Sequence, residues 1–252
     1  MLREPRHEQL LRILRQEGVL PVTEIARRLE VSAATARRDI TDLSATGRLR
    51  RVYGGAVARD AAERPFAEEE LADLPAKDAL AAHAAGLVAD GDVVLLDIGT
   101  STLQLARRLH GRKITVVTSN LAVYEELRGD PEVTLLLLGG QVRRNYHSLV
   151  GFLTEASLRQ LHVDRLFLGT SGVLRDGGVL DTTAVEVPVK RAMLAAARQV
   201  VLLATARKFP GTGSARVCEP PEIDLLVTGR AADPATLAVF WDAEVEVVQV
   251  CD

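Results

Sequence analysis

Aromatic side chains make up only 4% of the 252 residues, too few for the stacked rings that carry single-stranded nucleic acid. Cysteine is equally scarce. Cys218 and Cys251 are the only two, which speaks against a disulfide framework or a cysteine-ligated zinc site. The five histidines, His7, His83, His110, His147 and His162, show no pairing at metal-ligand spacing, so no metal is expected. No apolar run is long enough to cross a bilayer, and the charged N-terminus has no apolar signal segment. The expectation is a cytoplasmic protein with no membrane partner. A Walker-type glycine loop, a G-x-G-x-x-G turn and a G-x-S-x-G elbow are all missing, and Gly211-Thr212-Gly213 lacks the flanking strand and helix of a nucleotide loop. No cofactor is expected.

Positive charge is also short overall, with a net charge of −3, which by itself disfavours a nucleic-acid binder. The distribution reverses that reading. Residues 1–60 hold 12 Arg against 8 acidic residues, a balance of +4, and the remainder carries −7. A basic head on an acidic body is the asymmetry of a molecule whose head alone touches nucleic acid. The hydrophobic fraction of 47% is ample for a buried core.

What is present begins with residues 5–17, PRHEQLLRILRQE, where Leu10, Leu11, Ile13 and Leu14 line one side of a helix that Gly18 ends. Thr23 then opens a short helix with Ile25, Ala26 and Leu29 inward, and Glu30-Val31 make a turn. Ser32 caps a second helix in which Ala36, Ile40 and Leu43 share the core side. Ser32, Ala34, Thr35, Arg37 and Arg38 are left facing away. This spacing fits a helix-turn-helix whose second helix enters the DNA major groove; two ordinary amphipathic helices with a solvated charged face would show the same spacing. Gly47 stops the helix, and Arg48-Leu49-Arg50-Arg51-Val52-Tyr53 reads as a strand ending at Gly54-Gly55. A basic hairpin in that position is a wing able to hold phosphates. On these readings Arg37, Arg38 and Thr35 contact bases, Arg48, Arg50 and Arg51 contact phosphates, and Tyr53 belongs to the same surface.

The run from Ser32 through Thr35-Ala36-Arg37-Arg38-Asp39-Ile40 to Leu43, followed by Gly47-Arg48-Leu49 and Arg51-Val52-Tyr53-Gly54-Gly55-Ala56, resembles the winged helix-turn-helix signature of DeoR-type bacterial transcription regulators. Residues 1–58 are expected to form that domain. Asp60 to Pro75 is acidic and interrupted by Pro65 and Pro75, so 59–76 reads as a linker with a short helix near Ala67–Leu74.

From Lys77 the pattern becomes a helix to Ala89, then apolar strands ending in small polar or glycine residues. Val93–Leu96 runs into Asp97-Ile98-Gly99-Thr100-Ser101-Thr102, with a helix from Leu103. Thr115–Val117 runs into Thr118-Ser119-Asn120, Val133–Leu138 into Gly139-Gly140, and Leu166–Leu168 into Gly169-Thr170-Ser171. Val200–Ala204, Leu225–Val227 and Val245–Val250 complete the set. Continuous apolar strands alternating with helices predict an α/β fold with a mostly parallel sheet covered on both faces. Ligands of such sheets sit at the strands' carboxyl ends, where backbone N–H groups and hydroxyls suit a small anionic or polyhydroxylated molecule. Each loop alone also reads as an ordinary turn. Arg143, Arg144, Lys190 and Lys208 are the candidate cations for an anion, or simply surface charges. Trp241 reads as core.

The resemblance extends over residues 77–252. The Asp97–Thr102, Thr118–Asn120, Gly139-Gly140, Gly169, Glu186…Lys190 and Lys208-Phe209 stretches stand where the family carries its sensor motifs, on a fold similar to ribose-phosphate isomerase. Thr118-Ser119-Asn120 reverses the family's usual Thr-Asn-Ser order, and Thr205-Ala206-Arg207 replaces its usual Asp-x-Ser. The resemblance implies a DNA-binding regulator, a repressor of sugar metabolism genes, whose second domain binds a phosphorylated sugar and joins copies into a dimer or tetramer. It implies no enzyme. Two other readings stay open: an isomerase-like enzyme fused to a DNA-binding head, with Asp97, Glu186 and Lys190 as acid/base groups, and a domain that serves only assembly.

Overall fold

The computed structural model describes residues 3–17, 20–46, 48–52, 55–58 and 65–251, without the side chains at 3, 12, 15–17, 50–52, 57 and 58. Gly18, Gly47 and Gly54, expected to end elements, and Tyr53, expected at DNA, lie outside the described residues, as do the side chains of Arg50 and Arg51. Internal contacts divide the chain into two units, Met1–Glu63 and Arg64–Asp252.

In the first unit, α1 (Arg3–Glu17), α2 (Val22–Arg28) and α3 (Ala33–Ala45) surround one apolar cluster. Leu10, Leu11 and Leu14 from α1 meet Ile25 from α2 and Ile40 and Leu43 from α3, as their helical spacing requires. Strands β1 (Leu20–Pro21), β2 (Leu49–Val52) and β3 (Gly55–Ala58) form an antiparallel sheet in the order β1-β3-β2. Val52 pairs with Gly55 to make the hairpin that follows α3. Gly55 has to be glycine: a Cβ there would stand 2.2 Å from the Leu20 carbonyl oxygen, so no side chain fits between β3 and β1.

The second unit starts earlier than the sequence suggests. α4 (Phe66–Leu71) and α5 (Leu74–Gly86) precede the first strand. Phe66 is 3% exposed and belongs to the unit's core, so the linker expected over 59–76 does not extend past it. Then follow β4 (Val93–Leu96), α6 (Thr100–Arg107), β5 (Thr115–Thr118), α7 (Leu121–Leu127) and β6 (Thr134–Leu137). A hairpin of β7 (Gln141–Arg143) and β8 (Ser148–Val150) leads into α8 (Phe152–Leu158) and β9 (Val163–Gly169). The chain continues through β10 (Gly172–Val173), β11 (Val179–Asp181), α9 (Val187–Ala196), β12 (Ala197–Ala204), β13 (Ala215–Cys218), β14 (Leu225–Gly229), α10 (Pro234–Asp242) and β15 (Glu246–Val250).

The main sheet has seven strands in the order β15-β14-β12-β9-β4-β5-β6, and every neighbouring pair is parallel. Its strands serve two cores. Leu95, Val117, Leu166, Leu202 and Leu226 point into one apolar cluster, while Val94, Val116, Phe167, Val201 and Val227 point into the other. That double burial is why the strands read as unbroken apolar runs. The helices begin at identifiable caps. Asn120 accepts from the Ala122 N–H at 2.9 Å to start α7, and Asp233 accepts from the Thr236 N–H at 3.0 Å to start α10. α6 begins at Thr100 rather than at Leu103. Trp241, expected in the core, is 51% exposed, because its neighbours Leu237 and Phe240 already fill the inner side of α10. No helix among the described residues is long and apolar enough to cross a membrane.

From β4 the chain steps outward to β5 and β6, then returns to β9 on the other side of β4 and steps outward through β12, β14 and β15. The direction of winding therefore reverses between β4 and β9, and the crevice at their carboxyl ends is the site such a sheet offers to a ligand.

Candidate functional site

In the first unit the candidate surface is the outer side of α3. Ser32 stands in extended conformation, and its Oγ accepts from the Thr35 N–H at 3.1 Å and meets the Thr35 hydroxyl at 2.9 Å. These two residues of the expected DNA-facing side therefore also fix the first turn. Ala34, Arg37 and Arg38 are exposed, and neither arginine is ion-paired among the described residues. The inner side carries Asp39, on which the Arg6 guanidinium forks at 2.6 and 2.9 Å and His7 closes at 3.0 Å. Burial alone would raise the Asp39 carboxyl, but the hydrogen bonds from Arg6 and His7 outweigh it and hold it below the ordinary carboxylate range. This buried link fixes the rotation of α3 against α1. Arg48, expected at phosphate, is ion-paired with Glu8 of α1.

His7, Asp39 and Asp42 present ligand-type atoms within 4.8 Å of one another, a grouping that histidine spacing along the chain could not reveal. Arg6 already meets the charge of Asp39 there.

In the second unit the winding reversal gathers the expected effector residues around Asp97 and Lys190, both almost fully buried. Asp97 follows β4, and its Oδ2 accepts from the Gly169 N–H at the end of β9 at 2.9 Å. Lys190, in the first turn of α9, is ion-paired with that same oxygen, donates to the Gly169 carbonyl at 3.1 Å and lies 3.5 Å from Asp181. Burial works against the Lys190 charge, yet Asp97 and Asp181 outweigh it and hold the ammonium above its ordinary value. Its two hydrogen bonds and both of its ion pairs are thus made inside the protein. Lys190 is a clasp between strands rather than an open cation.

Beside it Glu186 caps α9 and is fully buried. One of its oxygens takes Arg143 from β7 and the Ser148 hydroxyl from β8 at 2.8 Å. Burial pushes the Glu186 carboxyl up to about 7, against the opposing pull of Arg143 and Ser148. The other oxygen, Oε2, has no hydrogen-bond partner among the described residues, and neither do Asp97 Oδ1, Ser119 Oγ or Thr205 Oγ1. Buried polar atoms are nearly always hydrogen-bonded. These four all follow the carboxyl ends of β4, β5 and β12 or cap the neighbouring helix α9, where the sheet opens.

The remaining expected residues shape the loops. Thr102 Oγ1 donates to the Asp97 and Gly99 carbonyls at 2.7 and 2.9 Å, and Asn120 Nδ2 donates to Gly99 O at 3.2 Å. Thr118 Oγ1 donates to Leu96 O at 2.8 Å. Thr100 is buried at the start of α6, with Ser101 half-buried beside it. Thr170 Oγ1 donates to the carbonyls of Gly172 and Leu180, and Ser171 Oγ accepts from the Thr182 N–H at 3.0 Å. Thr154 Oγ1 donates to Gly139 O at 2.6 Å, and a Cβ on Gly140 would lie 2.2 Å from that hydroxyl.

The Lys208 side chain is turned onto α4. It lies 3.4 Å from Glu69 of α4, whose carboxylate also holds Arg207, while buried Lys77 donates to the Glu69 carbonyl. Burial lowers the Lys208 ammonium and brings that of Lys77 down to about 8.

The sequence reading missed Asp181 and Ser148. Asp181 had a signal, since it follows an apolar strand as Asp97 does; Ser148 had none. A separate cleft of about 590 Å³ runs along α4, α6 and α7, lined by Phe66, Leu103, Leu121, Ala122, Glu126 and His147 among others. None of the expected effector residues lines it.

Residues 6–62 match the DeoR-like helix-turn-helix domain, and residues 73–230 match the DeoR C terminal sensor domain. The HTH-type transcriptional regulator GolR of Listeria innocua serovar 6a is 31% identical over 245 residues, covering 96% of each chain. The glycerol-3-phosphate regulon repressor of Haemophilus influenzae is 31% identical over 226 residues, 89% of this chain and 88% of that one. Among solved structures, ribose 5-phosphate isomerase A of Methanocaldococcus jannaschii overlaps 54% of this chain and 55% of its own, with 16% identity and a TM-score of 0.41.

Proposed function

The chain is a member of the DeoR family of transcriptional regulators, and on that premise we propose that it is a repressor whose second unit senses a phosphorylated sugar or a related metabolite. The observation that carries the DNA half is the outer side of α3, where Arg37 and Arg38 are exposed and make no ion pair among the described residues. Such arginines read guanine edges in the major groove. Two heads presented by a homo-oligomer would read paired half-sites of a double-stranded operator.

The sensing half is supported by the buried oxygens at the winding reversal that have no hydrogen-bond partner among the described residues. Asp97 Oδ1 and Glu186 Oε2 are acceptors, so they suit the hydroxyl groups of a sugar or polyol. The first-turn N–H groups of α6, with Thr100 and Ser101, suit its phosphate. The glycerol-3-phosphate repressor among the relatives supports an effector of this class. Effector binding shifts the balance between two arrangements of the DNA-binding heads by its differential affinity for them.

A thermal-shift screen of the full chain against phosphorylated sugars and their unphosphorylated counterparts tests the sensing half. The expected result is stabilisation by one phosphorylated sugar, about 2.7 kcal/mol at a hundredfold excess over Kd. No shift with any compound would overturn sensing of this class.

One observation favours the second reading, an isomerase-like enzyme. The Glu186 carboxyl, raised to about 7, is poised as a general base. Incubation with pentose and hexose phosphates decides between them, because product formation would displace the sensor reading.

A further inference from the structure

We propose that Lys77, Arg207 and Lys208 form an anion site that the Glu69 carboxylate fills from within, and that an incoming phosphate group displaces Glu69 and frees α4. The proposal rests on the sensing reading for the class of anion and adds a device that regulates its entry.

Three cations from separate parts of the second unit converge on one residue. Arg207 and Lys208 both meet the same Glu69 oxygen, Oε1, Lys208 at 3.4 Å. Lys77, in the first turn of α5 and 1% exposed, donates to the Glu69 backbone carbonyl rather than to a carboxylate. Arg207 also reaches Asp73 at 3.3 Å. Three positive groups thus stand against two carboxylates. Burial lowers the Lys77 ammonium and the charges of Arg207 and Lys208 lower it further, while Glu69 and Asp73 only partly oppose them. A phosphate brings more negative charge and more acceptor oxygens to these cations than the carboxylate it replaces.

A second observation marks the same place. Thr205 follows β12, is 2% exposed, and its Oγ1 has no hydrogen-bond partner among the described residues. Its extended backbone continues the alternation of the strand. Thr205 therefore follows Val201 and Leu203 onto the side of the sheet that Leu80, Ala81 and Ala84 of α5 cover. Its carbonyl accepts from the Lys208 N–H at 2.9 Å. Leu203 pairs with Gly169 of β9, whose carbonyl holds Lys190, so the cluster adjoins the sensing crevice.

α4 is held as a strap with a hinge. Phe66 anchors its start in the core, and Glu70 is ion-paired with Arg107 of α6. At its end Ala72 is extended and Asp73 takes a left-handed φ of 59°, a conformation that an L-residue adopts at a cost. Arg207 bridges the two sides of this break, through Glu69 before it and Asp73 after it. An anion that takes Arg207 and Lys208 from Glu69 removes the tie across the hinge and leaves Phe66 in place. The outcome is set by the affinity of the cations for the anion against their affinity for Glu69.

The test measures binding of inorganic phosphate to the full chain by calorimetry, at an ionic strength held constant with chloride, beside amide exchange over Phe66–Leu71. Wild type is compared with Glu69→Gln and Arg207→Gln, and melting curves confirm that each variant folds. The expected result is a Kd for phosphate about tenfold or more lower in Glu69→Gln, because the internal competitor is gone, and a raised Kd in Arg207→Gln. Phosphate speeds α4 exchange in wild type, whereas in both variants that exchange is already fast without it. Equal affinity in wild type and Glu69→Gln overturns the proposal, as does the absence of phosphate binding from both. Phosphate binding that leaves α4 exchange in wild type untouched also overturns it. The thermal shift with phosphorylated sugars is read on the same samples. Stabilisation of equal size in wild type and Glu69→Gln refutes the internal competitor and leaves the sensor reading standing. Tighter phosphate binding by Glu69→Gln with no shift from any sugar keeps the anion site and overturns the sensor reading.

Discussion

On α3 the arginines at 37 and 38 are exposed and without ion pairs among the described residues, whereas in the second unit Lys190 is enclosed by Asp97, Asp181 and the Gly169 carbonyl. Arg143 in the second unit is likewise turned onto buried Glu186. Charge that must meet a polyanion is kept available at the surface, where its desolvation on binding is offset by phosphates and bases. Charge that shapes a pocket is compensated internally, because an unpaired ion in that interior would cost several kcal/mol. What remains unpaired around the Asp97–Lys190 pair, among the described residues, is a set of single oxygen atoms.

The largest effect that could break this contrast is expected at Lys190. Lys190→Ala leaves Asp97 and Asp181 buried without their partner, and urea unfolding should show a loss of about 3–5 kcal/mol. A loss under about 0.5 kcal/mol, the range of a plain surface change, would mean that Lys190 is as open as Arg37.

Next in size is the pH response of Glu186. Its folded pKa of about 7 lies above the ordinary 4.5, so the native state holds the proton more tightly than the unfolded chain does. The stabilisation is fully present below about pH 4.5 and is lost as pH rises through about 7, a contribution of about 3 kcal/mol. Urea midpoints across that window should fall for wild type, and the fall should be smaller by this amount in Glu186→Gln. Equal slopes in the two proteins would place the titration elsewhere.

Arg37→Ala and Arg38→Ala sharpen the other side of the contrast. Each should weaken operator binding by about 1–3 kcal/mol while changing unfolding free energy by less than about 0.5 kcal/mol. Anisotropy titration and urea unfolding of the same preparations separate the two effects. The smallest change is expected for Ser32→Ala, which removes the cap on Thr35 and should cost about 1 kcal/mol of stability with operator preference unchanged. An altered preference would show Ser32 reading a base directly.

How far the sequence could be read followed the same division. The face of α3 was legible because Ala36, Ile40 and Leu43 identify the buried side by spacing, and what is left over must face outward. The main-sheet strands were legible because each is buried on both faces and reads as an unbroken apolar run. Spacing could not reveal pairings across the fold. Lys190 reads as an anion-binding cation because the carboxylate it holds, Asp97, lies 93 residues away in the chain, and Lys208 because its partner Glu69 lies in a segment that reads as linker. The exposure of Trp241 was hidden for a related reason: apolar neighbours in sequence do not say which side of α10 is already full. The β7–β8 hairpin, with Ser148, is too short and mixed in character to show a period.

The most direct measurement is the affinity of the full chain for a duplex selected from a random pool, read by anisotropy with and without each phosphorylated sugar that stabilises the protein. The expected result is a selected duplex whose Kd changes about tenfold or more with one such sugar and not with its unphosphorylated counterpart. An affinity untouched by a sugar that demonstrably binds the protein would contradict the coupling of the two units on which the whole functional reading depends.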